Sequence, residues 1–257
     1  METFLTPTFL NNMEKRKEDK MLEALRQEFK TMYPSRCRVL GAENLNLFLS
    51  HQQERARHYN YVYYDDLKRY AIIAFYLGTY FDEDRLYPWV EEILMWDESF
   101  GYKVDCLNEK FYEMFEKVYG KNIIYLQEAF EKLKEIDRKR ISSYTKIEQI
   151  IKVLSYIYPQ QMKAYGLENF RKILLDLKPM VEKYDMHNAL GYTVYATLVF
   201  LLGSHVDKDP LYAWIGKYLK EENLTKSERI ERLYERGVER IEKELISMKK
   251  IIEKKES

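Results

Sequence analysis

An all-α fold of two tandem duplicated helical bundles, followed by a long C-terminal helix, is predicted by three observations. The first is a repeat: YAIIAFYLGTYFDEDRLYPW, from Tyr70 to Trp89, recurs as YATLVFLLGSHVDKDPLYAW from Tyr195 to Trp214. Laid residue i on i+125 without a gap, 33–94 matches 158–219 at 18 of 62 positions. The matches gather Gly, Pro and Trp, and the first two are residues that backbone geometry constrains most. An offset of 125 exceeds the roughly 20–50 residues of a solenoid unit, so each copy reads as a small bundle in itself. The second observation is composition: nine Gly and six Pro are few for 257 residues, and long stretches are rich in Leu, Glu and Lys, which favour helix. The third is punctuation, since helix caps and stops fall where the apolar periodicity begins and ends.

In chain order, Thr6-Pro7 caps a first helix running to about Tyr33, with Met13, Met21, Leu22, Leu25, Phe29 and Met32 on roughly one face. Pro34 stops it; a short helical turn reaches Gly41, and Ala42-Glu43-Asn44 opens the next helix to about Tyr59. After the connector 60–64, a helix from Asp65 to Leu77 carries an apolar run around all its faces, which marks it as the buried centre of the first module. Gly78 ends that helix, and Asp84 precedes the next, expected over 86–95. Two helices follow, roughly 104–119 and 122–137, and the basic stretch 138–142 reads as a short joint between modules 1–137 and 143–257.

The second module opens with a capping box at Thr145-Lys146-Ile147-Glu148 and repeats the plan, with a kink expected near Lys178 because Pro179 interrupts the pattern. Its connector is Asp185-Met186-His187-Asn188, and Asp209-Pro210 reads as a cap followed by a first helical position. A second capping box, Thr225 to Glu228, opens a charged terminal helix whose stripe of Ile230, Leu233, Val238, Ile241, Leu245, Met248, Ile251 and Ile252 suits its own bundle or a homodimer.

Composition narrows function. Hydrophobic content of 46% with 33% charge describes a globular chain, and Lys+Arg equals Asp+Glu at 42 each, so no net field draws nucleic acid or an anionic membrane. Cys37 and Cys106 stand alone, which suits a reducing cytoplasm, and the amino terminus lacks a secretory pattern. The longest apolar run is too short to span a bilayer. Four His residues show no ligand or catalytic spacing, and no phosphate loop or nucleophile motif is present. No catalytic, cofactor or metal residue is assigned, and the protein is expected not to be an enzyme.

The acids Asp82, Asp84, Asp207 and Asp209 are the most tempting chemistry. An Asp-x-Asp loop can offer oxygens to a divalent cation. The structural reading is stronger: the second Asp caps a helix and the first bonds the backbone of the turn at Gly78 or Gly203. Trp89 and Trp214 are read as core packing rather than a stacking platform. The 23 tyrosines are the unusual bulk feature, and Tyr61, Tyr63 and Tyr64, with His187 in the corresponding connector, are the candidate partner contacts.

Through Phe75-Tyr76-Leu77-Gly78, Phe81-Asp82-Glu83-Asp84 and Leu86-Tyr87-Pro88-Trp89, each copy resembles a helical domain of bacterial proteins whose genes often lie near type VI secretion effectors. The second copy departs from it, with Pro179-Met180-Val181 for Glu54-Arg55-Ala56 and Ala213 for Pro88. The resemblance implies a cytoplasmic adaptor or immunity-type protein that binds an effector protein. The expected function is therefore protein interaction, in a groove between modules or along the Tyr-rich connectors, with ligand or metal binding at the Asp-x-Asp loops as the alternative.

Overall fold

The computed structural model describes residues 7–61 and 63–256; Thr6 and its expected cap lie outside them. Every regular element among the described residues is helical. The first half comprises α1 (Pro7–Met32), α2 (Pro34–His58), α3 (Tyr64–Leu77), α4 (Pro88–Leu94), α5 (Phe100–Tyr119) and α6 (Ile124–Glu135). Next come α7 (Arg138–Ser142), α8 (Ile147–Ile157), α9 (Pro159–Tyr165), α10 (Leu167–Asp176), α11 (Lys178–Lys183), α12 (Ala189–Leu202), α13 (Ala213–Leu219) and α14 (Lys226–Glu256).

Local signals account for most boundaries. Gly41 breaks α2 with φ 81°, and α10 gives way to α11 at Leu177, just before Pro179. The Thr225 box forms in full: Thr225 N–H donates to Glu228 at 2.9 Å, and Glu228 N–H donates to the Thr225 hydroxyl at 3.3 Å. The Thr145 box does not form. Gln149 instead accepts from the N–H groups of Thr145 and Lys146, and Glu148 pairs with Arg171, so α8 starts one residue later than expected. Helix α4 likewise begins at Pro88 rather than Leu86, because Pro needs no N–H partner in a first turn.

The two apolar helices sit at the centre. In α3, Tyr70, Ala71, Ile73, Ala74, Phe75 and Leu77 are buried, and α12 is buried along nearly its whole length. Around α3, Phe75 meets Phe29 edge-on at 5.1 Å; in the second half, Phe200 stacks on Phe170 at 4.5 Å. Buried side chains of both halves belong to one hydrophobic cluster, and α6 packs on α8 and α14. The stretch read as a joint is helical: Ile141 in α7 is buried, and Arg138 pairs with Glu231 of α14. Hydrophobic burial turns a short connector into a packed element once a neighbour is within reach.

The described apolar stripe of α14 faces its own chain, against α6, α12 and α13, with Ile230, Leu233, Ile241 and Leu245 buried; the side chains of Met248, Ile251 and Ile252 lie outside those the structure describes. Trp89 and Trp214 are half-buried at the edge of the core rather than within it.

Candidate functional site

The Gly turns and Asp-x-Asp loops meet across the interface of the two halves and form a reciprocal clasp. Asp84 accepts twice: from Leu86 N–H at 2.8 Å through Oδ1, and from Ser204 N–H in the other half at 2.7 Å through Oδ2. Asp209 does the same with Leu211 N–H and Thr79 N–H, both at 2.8 Å, and also accepts from the Thr79 hydroxyl. The participants correspond under the 125-residue offset: Asp84 with Asp209, Thr79 with Ser204, Leu86 with Leu211. Between them, Gly78 and Gly203 approach so closely that a Cβ on either would lie 3.9 Å from the other's Cα. Their φ values of 108° and 103° are open essentially to Gly alone.

The first acid of each loop takes a different partner from the one expected. Asp82 accepts from the Tyr59 hydroxyl at 3.1 Å and from Arg55 at 2.6 Å, while Asp207 accepts from the Tyr184 hydroxyl at 2.8 Å, rather than from the backbone of the Gly turn. A tyrosine one helix away reaches further than an aspartate can bend back. Tyr59→Phe leaves Asp82 its Arg55 partner, whereas Tyr184→Phe leaves Asp207, among the described residues, only Lys183 at 3.8 Å. The second change is expected to cost about 1–2 kcal/mol and the first less than about 1; equal shifts in urea midpoint would refute that ranking.

Burial pushes the Asp84 carboxyl above its ordinary range and raises Asp209 to about 6, although N–H donors pull both down. Desolvation therefore outweighs hydrogen bonding at these two groups.

Beside the clasp lies an open groove of about 980 Å³. Asn44, Leu47, His51 and Glu54 of α2 form one wall, Ala213 and Lys217 of α13 the other, and Tyr80 with Pro210 the floor. Tyr80 is held on several sides: His51 at 4.6 Å and His205 at 5.3 Å between ring centres, and the Lys208 ammonium 4.1 Å from its ring centre. Burial pushes both imidazoles below their ordinary value, and His51 Nε2 is buried without a hydrogen-bond partner among the described residues. Under the offset, His51 and Pro210 stand where Asp176 and Arg85 stand on the other side of the clasp. Arg85 and Asp176 make an ion pair at 2.7 Å, and Pro210 can make none, so the groove lacks that strut.

The candidate partner contacts fall in three places. Tyr63 and Tyr64 line a second groove, of about 700 Å³, with Met13, Arg16, Lys17, Lys20, Met21 and Ala24 of α1. Tyr61 is half-buried, its ring 6.4 Å from Phe100 and its hydroxyl accepting from Gln53 at 3.4 Å. His187 is exposed on the other half, beside Asp185 and Lys226. Local spacing offered no sign of the α2–α13 groove, whose walls are more than 150 residues apart in sequence. Among the described residues, no three His, Cys, Asp or Glu side chains converge as a metal site would require, and no helix is long and apolar enough to cross a membrane. Compared with protein-family models, curated proteins and solved structures, the chain matches none.

Proposed function

We propose that this is a non-enzymatic protein-interaction module, formed by two duplicated halves, that holds a segment of a partner protein in the groove between α2 and α13. The observation that carries the reading is the placement of the groove at the clasp, where rigid elements of both halves set its two walls. A groove walled by helices and floored by an immobilised aromatic suits a helical or extended peptide, with apolar Leu47 and Ala213 as contact and Lys217, Glu54 and His51 as polar specificity. That the two sets of bonds are made by residues corresponding under the 125-residue offset supports a duplicated origin. A bacterial adaptor or immunity-type role toward a secretion effector, in the cytoplasm, belongs to the same proposal through the family resemblance.

The rival reading, a cation at the Asp-x-Asp loops, is weakened by the clasp, because both oxygens of Asp84 and Asp209 already accept the chain's own N–H groups. Leu47 and Lys217 are exposed, so Leu47→Glu with Lys217→Glu should leave the helical circular-dichroism signal unchanged. Affinity purification from the native host is expected to yield one stoichiometric partner with the natural sequence and none with this variant. Retention of that partner by the folded variant would remove the groove from the proposal.

A further inference from the structure

The groove between α1 and the start of α3 has a composition of its own. Met13, Met21 and Tyr63 supply apolar surface, with Tyr63 70% exposed and Met13 54% exposed. Arg16, Lys17 and Lys20 border it, all exposed and none in an ion pair among the described residues. Cationic and apolar surface together in one concavity ask for an occupant that is acidic and apolar.

The same chain presents such a shape. The turn between α4 and α5 exposes Met95 (68%) and Trp96 (41%), flanked by exposed Glu91, Glu92, Asp97 and Glu98, none of them in an ion pair among the described residues. Both of its ends are fastened: Lys103 donates to Leu94 C=O at 2.9 Å where α4 ends, and Ser99 accepts from Tyr102 N–H at 3.3 Å where α5 begins. A knob held in this way loses little conformational freedom on docking.

Groove and knob lie at one end of the molecule. A Cβ on Gly101, in the first turn of α5, would come 3.0 Å from Asp66 in the first turn of α3. Two features at one end allow a two-fold pair in which each copy gives its knob and receives the other's, so that the assembly closes. The net formal charge of zero adds no repulsion between copies.

We propose that two copies of this chain pair reciprocally, the Met95–Trp96 knob of each seated in the Met13–Met21–Tyr63 groove of the other, with Arg16, Lys17 and Lys20 facing Glu91, Glu92, Asp97 and Glu98. Trp96 then lies within reach of the groove cations, and Met95 meets the Tyr63 ring.

Sedimentation equilibrium of the full chain tests this, with helical circular dichroism as the check on folding. The natural sequence is expected to reach the mass of two chains in the micromolar range, and raising the salt should weaken the pairing several-fold. Arg16→Glu with Lys17→Glu and Lys20→Glu makes the groove acidic; Glu92→Lys with Asp97→Lys and Glu98→Lys makes the knob basic. Each variant alone is expected to dissociate at least about tenfold more readily, through like charges brought face to face. Mixed in equal amounts, the two variants should pair with each other, because both contacts are complementary again. Met95→Ser with Trp96→Ser, which changes no charge, should weaken pairing likewise. The proposal is overturned if the natural chain stays a single copy throughout, if a folded reversal variant pairs as well as the natural chain, or if the mixture fails to pair.

Discussion

Replacing Gly203 with alanine is expected to lower the unfolding free energy by about 3 kcal/mol or more, the sum of backbone strain of order 1–3 kcal/mol and a steric collision. The collision is across the interface of the two halves: the new Cβ would lie 2.8 Å from Leu77 C=O and 3.1 Å from Asp84 Oδ2. Neither neighbour can retreat freely, since Leu77 ends a buried helix and Asp84 is bonded on both oxygens. Gly166→Ala is the control. Gly166 also has a positive φ, 75°, but its Cβ would meet nothing within 4 Å, so only the backbone term applies. Urea unfolding of both variants separates the two contributions. A Gly203→Ala cost no larger than that of Gly166→Ala would mean that the halves are not held together at this point.

A second large effect is in pH. In the folded chain Asp209 has its carboxyl raised from 3.8 to about 6. Between these values the native state binds more protons than the unfolded chain, so this group makes stability fall as pH rises from about 4 to about 6 and adds no further slope above. The size of the effect is on the order of 3 kcal/mol. Asp84, also raised by burial, acts in the same sense. His51 and His205 act in the opposite sense: with depressed folded values they remove stability as pH falls below about 6.5. Asp209→Asn isolates the first contribution. Asparagine has one acceptor oxygen, so it cannot serve both Leu211 N–H and Thr79 N–H as the carboxylate does, and it carries no titrating proton. The stability advantage of the natural sequence over Asp209→Asn is therefore expected to shrink by about 3 kcal/mol between pH 4 and pH 7. A difference that stays constant over that range would show that the carboxylate is better solvated than its buried position implies.

The clasp shows how legibility divides. Asp209 could be read as a cap from sequence alone, because a cap bonds an N–H two or three positions ahead, and this spacing is visible in the residues themselves; Asp84 bonds Leu86 N–H in the same way but caps no helix, since α4 begins only at Pro88 with Tyr87 before it. The same locality explains why the Gly41 break, the Leu177 interruption and the Thr225 box were foreseeable. The Thr145 box, expected on the same grounds, does not form, since Gln149 takes the Thr145 N–H from one position further on.

Tertiary structure alone decided what each carboxylate does with its second oxygen. Ser204 and Thr79 are 120 and 130 residues from the acids they serve, and no local pattern encodes a contact at that range. Tyr59 with Asp82 and Tyr184 with Asp207 were present in the sequence as repeated identities, yet their bonding appeared only when α2 and α11 were packed beside the loops. Both grooves belong to the same class, for a concavity depends on how helices cross, whereas periodicity reports only which face of a helix is apolar. The amino-acid sequence thus determined helices, caps and buried centre, which rest on short-range bonding and on hydrophobic spacing. The clasp and the two grooves arise from long-range packing, where distant residues acquire a common environment.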